Sequence, residues 1–413
     1  MNPGQGATAA GLDPGAGGAG RVQGAWLLLL LVFLTGCSAV GLKRPPPRPG
    51  KTTFASPLVL LPVQLYGNLP VVEVKGDRGG PYRFLVDTGS SVTLTTPAFA
   101  KRNPGRMPTN AAAPRVRVAG ADGRIEELPA ASVRRIELGD ARFDDVPVLL
   151  YDCAALSAHL GVKLDGVLGF PFFREAVLTL DYPGRRLMLQ PAANAPLIPG
   201  TVLPFDDARK TPLISIKLGD RSVLALIDSG SDMGFSLNPV GLGAGFLHGP
   251  VDGATVGTLG GDRVQKVGRL DASVAIGDYV FPQPLVDLTD ELSAVGGGAL
   301  RHFAVTFDQA RDRVTFYRDS REPLRLPARR TFGLSFTKTP AYWRVAGVVA
   351  RSPAAAAGVV PGDLVTRIND EPVARWDLGR YEALLEQADA ATLTFLQGTA
   401  EARKTVAVVP LVP

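Results

Sequence analysis

One segment of this chain occurs twice. Leu85–Thr96 reads LVDTGSSVTLTT, and Leu226–Asn238 reads LIDSGSDMGFSLN. Each copy carries two apolar residues, an aspartate, a hydroxyl residue, a glycine and a serine. The aspartates, Asp87 and Asp228, stand 141 residues apart. Each copy follows a strand–turn–strand pattern, VVEVKGDRGGPYRFLVD in the first and LISIKLGDRSVLALID in the second. A longer pair aligns downstream without a gap: VLGFPFFREAVLTLDYPGRRLML from Val167 and AVGGGALRHFAVTFDQARDRVTF from Ala294. This alignment sets Gly169 on Gly296, Asp181 on Asp308, Arg186 on Arg313 and Leu187 on Val314. A recurrence in register over this length marks a duplicated structural unit. Any fold for the chain must therefore accommodate two copies of one lobe.

The lobes are expected to be mainly β. From about residue 57 to 318, short runs of Val, Leu, Ile and Phe are broken by Gly, Asp and Pro at regular intervals. Alternation is clear in RVRVAG, with Val116 and Val118 on one face. Such spacing predicts sandwiches or barrels rather than strand–helix–strand units. After about Pro327 the composition shifts. SPAAAAGVVPGDLVTRINDEPV, Ser352–Val373, predicts a small-residue helix, a Pro-Gly-Asp turn, a strand and an Asn-Asp hairpin turn. Gly379–Asp389 predicts an amphipathic helix, and a closing hairpin follows it. The expected organisation is lobe 1 over 57–195, lobe 2 over 196–325 and a smaller module over 329–411.

The beginning of the chain has a different character. AWLLLLLVFLTGC, Ala25–Cys37, is apolar but too short to span a bilayer comfortably, and it fits the apolar region of a secretory signal. Leu34-Thr35-Gly36-Cys37 resembles the lipobox of bacterial lipoproteins. That resemblance implies cleavage before Cys37, acylation of Cys37, and anchoring to the membrane. Ser38 after the cysteine fits outer-membrane sorting. Residues 1–37 are thus expected to form the signal and lipobox. Residues 38–56, with KRPPPRPG, are expected to form an extended Pro-rich spacer. Cys153 is the second of the two cysteines, so no disulfide framework is expected. A net charge of +5 over 413 residues, without a dense basic run, argues against nucleic acid. His159, His248 and His302 are scattered, so no metal site is expected, and no cofactor.

The duplication suggests a chemistry. Two carboxyls ~3 Å apart cannot both ionise, so they share a proton and can act as an acid and a base on one water molecule. A two-fold axis with one aspartate from each lobe is the simplest way to bring them together. Gly89 and Gly230 would let the backbones approach. Thr88 and Ser229 would reach across to the opposite lobe. Ser90 and Ser231 would donate their hydroxyls to the outer carboxylate oxygens.

Residues 57–318 resemble the aspartic peptidases of the pepsin and retropepsin clan. The resemblance rests on the doubled apolar-apolar-Asp-[Thr/Ser]-Gly-Ser and on the triplets Val167-Leu168-Gly169 and Ala294-Val295-Gly296. It implies two β-barrel lobes with quasi-two-fold symmetry in one chain, so the protease unit is expected to be monomeric. It also implies that Asp87 and Asp228 form a catalytic dyad acting on protein or peptide substrates, and that each triplet supports its active-site loop. VAGADGRI, within Val118–Ile125, and GTLGGDR, Gly257–Arg263, would be glycine-rich flap tips, without the tyrosine of a pepsin flap. The three glycines after Val295 suggest a looser second lobe.

Residues 329–411 resemble a bacterial, protease-associated PDZ domain. Gly333, Leu334, Ser335 and Phe336 match its carboxylate-binding loop, which implies a peptide C-terminus as ligand. The expected function is an envelope-anchored aspartic endopeptidase with a PDZ domain for substrate or partner tails. The alternative is a catalytically inactive double-lobed domain with a PDZ scaffold.

Overall fold

A computed structural model describes residues 48–105, 114–120, 123–195, 198–240, 242–258, 260–320, 322–326 and 328–412. The expected lipidation site at Cys37 and the signal preceding it lie outside the described residues.

Each lobe is organised around a nine-stranded sheet. In lobe 1 the strands Leu69–Gly76 and Gly79–Asp87 form an antiparallel hairpin. Apolar residues at alternate positions turn one face of each strand inward, as in Val72, Val74, Phe84 and Val86, which are at most 1% exposed. Lobe 2 repeats the hairpin with Leu213–Leu218 and Arg221–Asp228. Of the stretch expected as a spacer, 38–56, residues 38–47 lie outside the described residues. Lys51–Phe54 is a strand paired with Ala141–Leu150. Two threonines and a phenylalanine favour that pleated, half-buried position over a solvated chain.

A third, six-stranded sheet joins the lobes. At its centre Ala176–Asp181 of lobe 1 pairs antiparallel with Ala304–Asp308 of lobe 2. Thr179 faces Thr306, and their hydroxyls lie 2.8 Å apart. These threonines are counterparts in the repeat, so the two-fold axis passes between them. Asp181 pairs with Arg186 at 2.6 Å, and Asp308 with Arg313 at 3.0 Å, which repeats one ion pair on each side. Above this sheet Phe170, Phe205 and Phe307 pack edge to face, with ring centroids 5.6–5.7 Å apart. One apolar core is therefore shared by both lobes.

The C-terminal module has its own core, built on Phe332, Phe336, Trp343, Val365, Leu393 and Phe395. Its main sheet begins at the edge strand Leu334–Lys338 and continues through Trp343–Val348. Ser352 caps the short helix Pro353–Ala356 by accepting from the Ala355 amide. Asp377 caps the helix Leu378–Gln387 in the same way through the Arg380 amide. Past the last strand, Leu411 and Val412 pack against Val267 and Leu285 of lobe 2.

Phe307→Ala should destabilise the protein by ~3–5 kcal/mol in urea unfolding, because it opens a cavity in the core that both lobes share. Val240→Ala, at an exposed position, should stay within about 0.5 kcal/mol of the parent.

Candidate active site

Two apolar strands end side by side at the aspartates. Gly79–Asp87 runs parallel to Gly166–Gly169, with Gly169 opposite Asp87. Arg221–Asp228 runs parallel to Ala294–Gly296, with Gly296 opposite Asp228. Each triplet passes directly beneath the loop that follows its aspartate. A β-carbon at Gly169 would sit 2.2 Å from the Val92 carbonyl oxygen, and one at Gly296 would sit 2.3 Å from that of Met233. No larger residue fits either place.

The second lobe is not loosely supported, contrary to the expectation from its glycines. Gly296, Gly297 and Gly298 are buried and donate their amides to Gly234, Ser231 and Met233. A β-carbon on Gly297 would meet the Asn68 carbonyl oxygen at 2.5 Å. The three glycines serve close backbone packing.

Across the axis the two loops touch. A β-carbon on Gly89 would lie 2.5 Å from Asp228 Oδ1, and one on Gly230 would lie 2.5 Å from Asp87 Cγ. Thr88 and Ser229 are fully buried between them. The Thr88 hydroxyl donates to the Ile227 carbonyl at 2.7 Å and accepts the Ser229 amide at 3.0 Å. The Ser229 hydroxyl donates to the Val86 carbonyl at 2.7 Å and accepts the Thr88 amide at 2.9 Å. Four hydrogen bonds thus form a reciprocal clasp between the lobes.

Backbone amides orient the carboxylates. Asp87 Oδ1 accepts from the amides of Gly89 at 2.9 Å and Ser90 at 3.0 Å. Asp228 Oδ1 accepts from the Gly230 amide at 2.9 Å. The expected role of the serine hydroxyls needs correction. The Ser90 hydroxyl donates to the Val92 carbonyl at 2.8 Å, away from Asp87. The hydroxyl stabilises the turn, while the turn presents the amide. The Ser231 hydroxyl faces Gly296, on the side of the supporting triplet.

The two carboxyls stand at the axis, each against the glycine of the opposite loop. Burial and then the neighbouring Asp228 charge raise Asp87 well above the ordinary carboxylate range. Burial raises Asp228 as well, against the hydrogen bond from the Gly230 amide. Both shifts favour the protonated form, so the pair holds a proton more tightly than exposed carboxyls would. A protonated and an ionised oxygen side by side can exchange a proton with a bound water.

Other elements surround the pair. The hairpin of Arg115–Ala119 and Ile125–Leu138 meets that of Phe246–Thr258 and Gly261–Leu270 at their tips, where Arg124 Nη1 donates to the Gly260 carbonyl at 2.8 Å. Helix Ala154–Leu160 reaches the second hairpin through His159, 2.9 Å from Asp262. Burial pushes the Cys153 thiol up to about 12, which leaves it unreactive as a nucleophile. Among the described residues no group of three or more His, Cys, Asp or Glu is placed to hold a metal.

In the C-terminal module, Gly333 adopts a φ of 85°, and a β-carbon there would strike the Ser352 side chain. Leu334 and Phe336 point into the core, while the Ser335 hydroxyl accepts the Thr255 amide of lobe 2 at 2.8 Å. One residue was missed in the sequence. Asp232 accepts the Asn68 amide at 2.7 Å and so ties the lobes together beside the dyad. The signal was present: the repeat sets Asp232 opposite Ser91, a carboxylate where the first copy has none.

Comparison with known proteins agrees with this geometry. Residues 72–172, which contain Asp87 and its supporting triplet, match the family model of an aspartyl protease. Residues 344–397 match that of a PDZ domain. A search of curated proteins found no match. The chain thus carries an aspartyl protease domain followed by a PDZ domain.

Proposed function

We propose that this protein is an aspartic endopeptidase in which Asp87 and Asp228 activate water. The observation that carries this reading is the carboxyl pair juxtaposed across the axis, held by a clasp that fixes both loops there. In the ground state the two carboxyls share one proton. The ionised carboxyl takes a proton from the attacking water, and the protonated one hydrogen-bonds to the carbonyl oxygen of the scissile bond. The tetrahedral intermediate then collapses as the leaving nitrogen receives a proton from the pair. The amides of Gly89, Ser90 and Gly230 keep the carboxyls fixed throughout, so little reorganisation is needed during the reaction. The two hairpin tips cover an extended peptide and exclude water.

The lipobox supports a location in the bacterial envelope, with acylated Cys37 as the anchor and the short Pro-rich stretch as a spacer. The PDZ domain supports a role for peptide C-termini, taken up at the Gly333–Phe336 loop.

Asp87→Asn and Asp228→Asn should each lower cleavage of a proteome-derived peptide library by ~10²–10⁴-fold, read as new termini by mass spectrometry. Full turnover in either variant would exclude the mechanism. The pH profile of kcat/KM should be bell-shaped, with limbs that belong to the pair. The raised Asp87 carboxyl adds a linked effect on stability. Its contribution is fully present below its unfolded pKa and is lost as pH rises through its folded value. Asp87→Asn should therefore raise Tm over the parent more at pH 8 than at pH 4, and an equal change at both would contradict the shift. Finally, Cys37→Ser should move the expressed chain from the membrane fraction to the soluble fraction; unchanged fractionation would rule out lipid anchoring at this residue.

A further inference from the structure

The PDZ groove is not open to solvent along its length. The strand Leu334–Lys338 is the edge of its sheet, paired on one side with Trp343–Val348. Helix Leu378–Gln387 flanks it, with the Tyr381 ring 5.8 Å from that of Phe336 and 6.2 Å from that of Phe332. A peptide that extends this sheet must lie between the strand and the helix. Both walls of that groove meet the protease.

On the strand side, helix Ala154–Leu160 of lobe 1 lies against Leu334–Lys338. Lys338 Nζ donates to the His159 carbonyl at 2.6 Å. A β-carbon at Gly161 would stand 3.4 Å from that of Lys338. On the helix side, Glu382 is one turn from Leu378 and points at lobe 1, its Oε1 3.2 Å from where a β-carbon of Gly67 would be. Asp232 stands on the same spot, and its carboxylate meets Arg329 at 3.4 Å. Burial and the Asp232 carboxylate push the Glu382 carboxyl up to about 7, as expected for a group removed from water by docking.

We infer that lobe 1 and a peptide C-terminus compete for the PDZ groove, so that a ligand binds by displacing the PDZ domain from the protease. The ligand is an extended chain with a free terminal carboxylate, which the loop at Gly333 would receive. Displacement has a consequence at the hairpins. Thr255 lies on the strand Phe246–Thr258, and its amide is bonded to Ser335 of the PDZ domain. The tip of that hairpin in turn holds Arg124 of the opposite one. Undocking therefore removes one of the bonds that hold this hairpin, leaving it tied to lobe 1 by His159 and Arg124. That this release opens the dyad to substrate rests on the peptidase reading above. The competition itself does not.

The test uses the chain from residue 38 onward with Asp87→Asn, so that no probe is cleaved. Gly161→Cys together with Lys338→Cys brings two β-carbons to about 3.4 Å, within reach of a disulfide that locks the docked state when oxidised, at the cost of a side chain in the left-handed conformation of Gly161. The probe is a fluorescein-labelled nonapeptide pool with a C-terminal valine, compared by anisotropy with the same pool as C-terminal amides. The reduced protein should bind the carboxylate pool, and the oxidised protein should bind it at least ~10-fold more weakly. Equal binding by both forms, or none by the reduced form, would overturn the inference. A second measurement leaves positions 161 and 338 unchanged. The carboxylate pool should speed hydrogen exchange in 154–161 and at Thr255, and binding that leaves these amides as protected as before would also overturn it. Neither arm reads turnover, so a silent dyad and a wrong docking inference remain distinguishable.

Discussion

The clasp between Thr88 and Ser229 is the contact on which the rest of the site depends. Each hydroxyl donates to a carbonyl of the opposite strand and accepts the opposite loop's amide. Both residues are fully buried, so each unmade bond would cost roughly 1–3 kcal/mol. The clasp holds the two loops at a separation where Gly89 and Gly230 have no room for a side chain. That separation also brings the carboxyls close enough for each to favour the protonated form of the pair. Steric fit, hydrogen bonding and electrostatics thus depend on one backbone distance. The sheet below resists slippage for a related reason. Thr179 and Thr306 meet at the same axis, and a shift of one residue would turn the faces of Leu178 and Phe307 from the core to the opposite side.

Much of the site could be read from the sequence because duplication makes chemistry visible. A single Asp-Thr-Gly-Ser is an ordinary turn composition. Two copies in register, each followed by an apolar-apolar-glycine triplet, imply a shared axis, and the structure brings Asp87 and Asp228 together there. Where the reading failed, the cause was local geometry. Ser90 and Ser231 have the right chemistry to donate to a carboxylate, but the tight turn points amides at the carboxylate and uses the Ser90 hydroxyl for its own closure. The glycines after Val295 look permissive in sequence, yet close packing against Asn68, Met233 and Gly234 requires them. Propensity reports what a residue allows, whereas the backbone around it determines what it does. The strand Lys51–Phe54 was missed for a similar reason: its partner lies about ninety residues away, which no local window reveals.

The contact between the protease and the PDZ domain was not legible in the sequence. It joins Lys338 to His159, Ser335 to Thr255 and Glu382 to the neighbourhood of Asp232. None of these pairs belongs to a repeat or a period, and each residue alone reads as an ordinary surface or strand position. The interface also has two chemically distinct parts. The tail residues Leu411 and Val412 form an apolar contact with Val267 and Leu285, three of the four at most 4% exposed. The groove side is held by polar contacts: an ammonium to a carbonyl, a hydroxyl to an amide, and a guanidinium to a carboxylate. Interfaces of this polar kind within a chain generally permit relative motion of the domains. The apolar contact is costly to expose, while the polar contacts can exchange for water or for a peptide backbone at little net cost. A domain attached in this way can swing on its tail without leaving the protease. In the proposed competition, the groove side is the part whose opening a peptide carboxylate would offset.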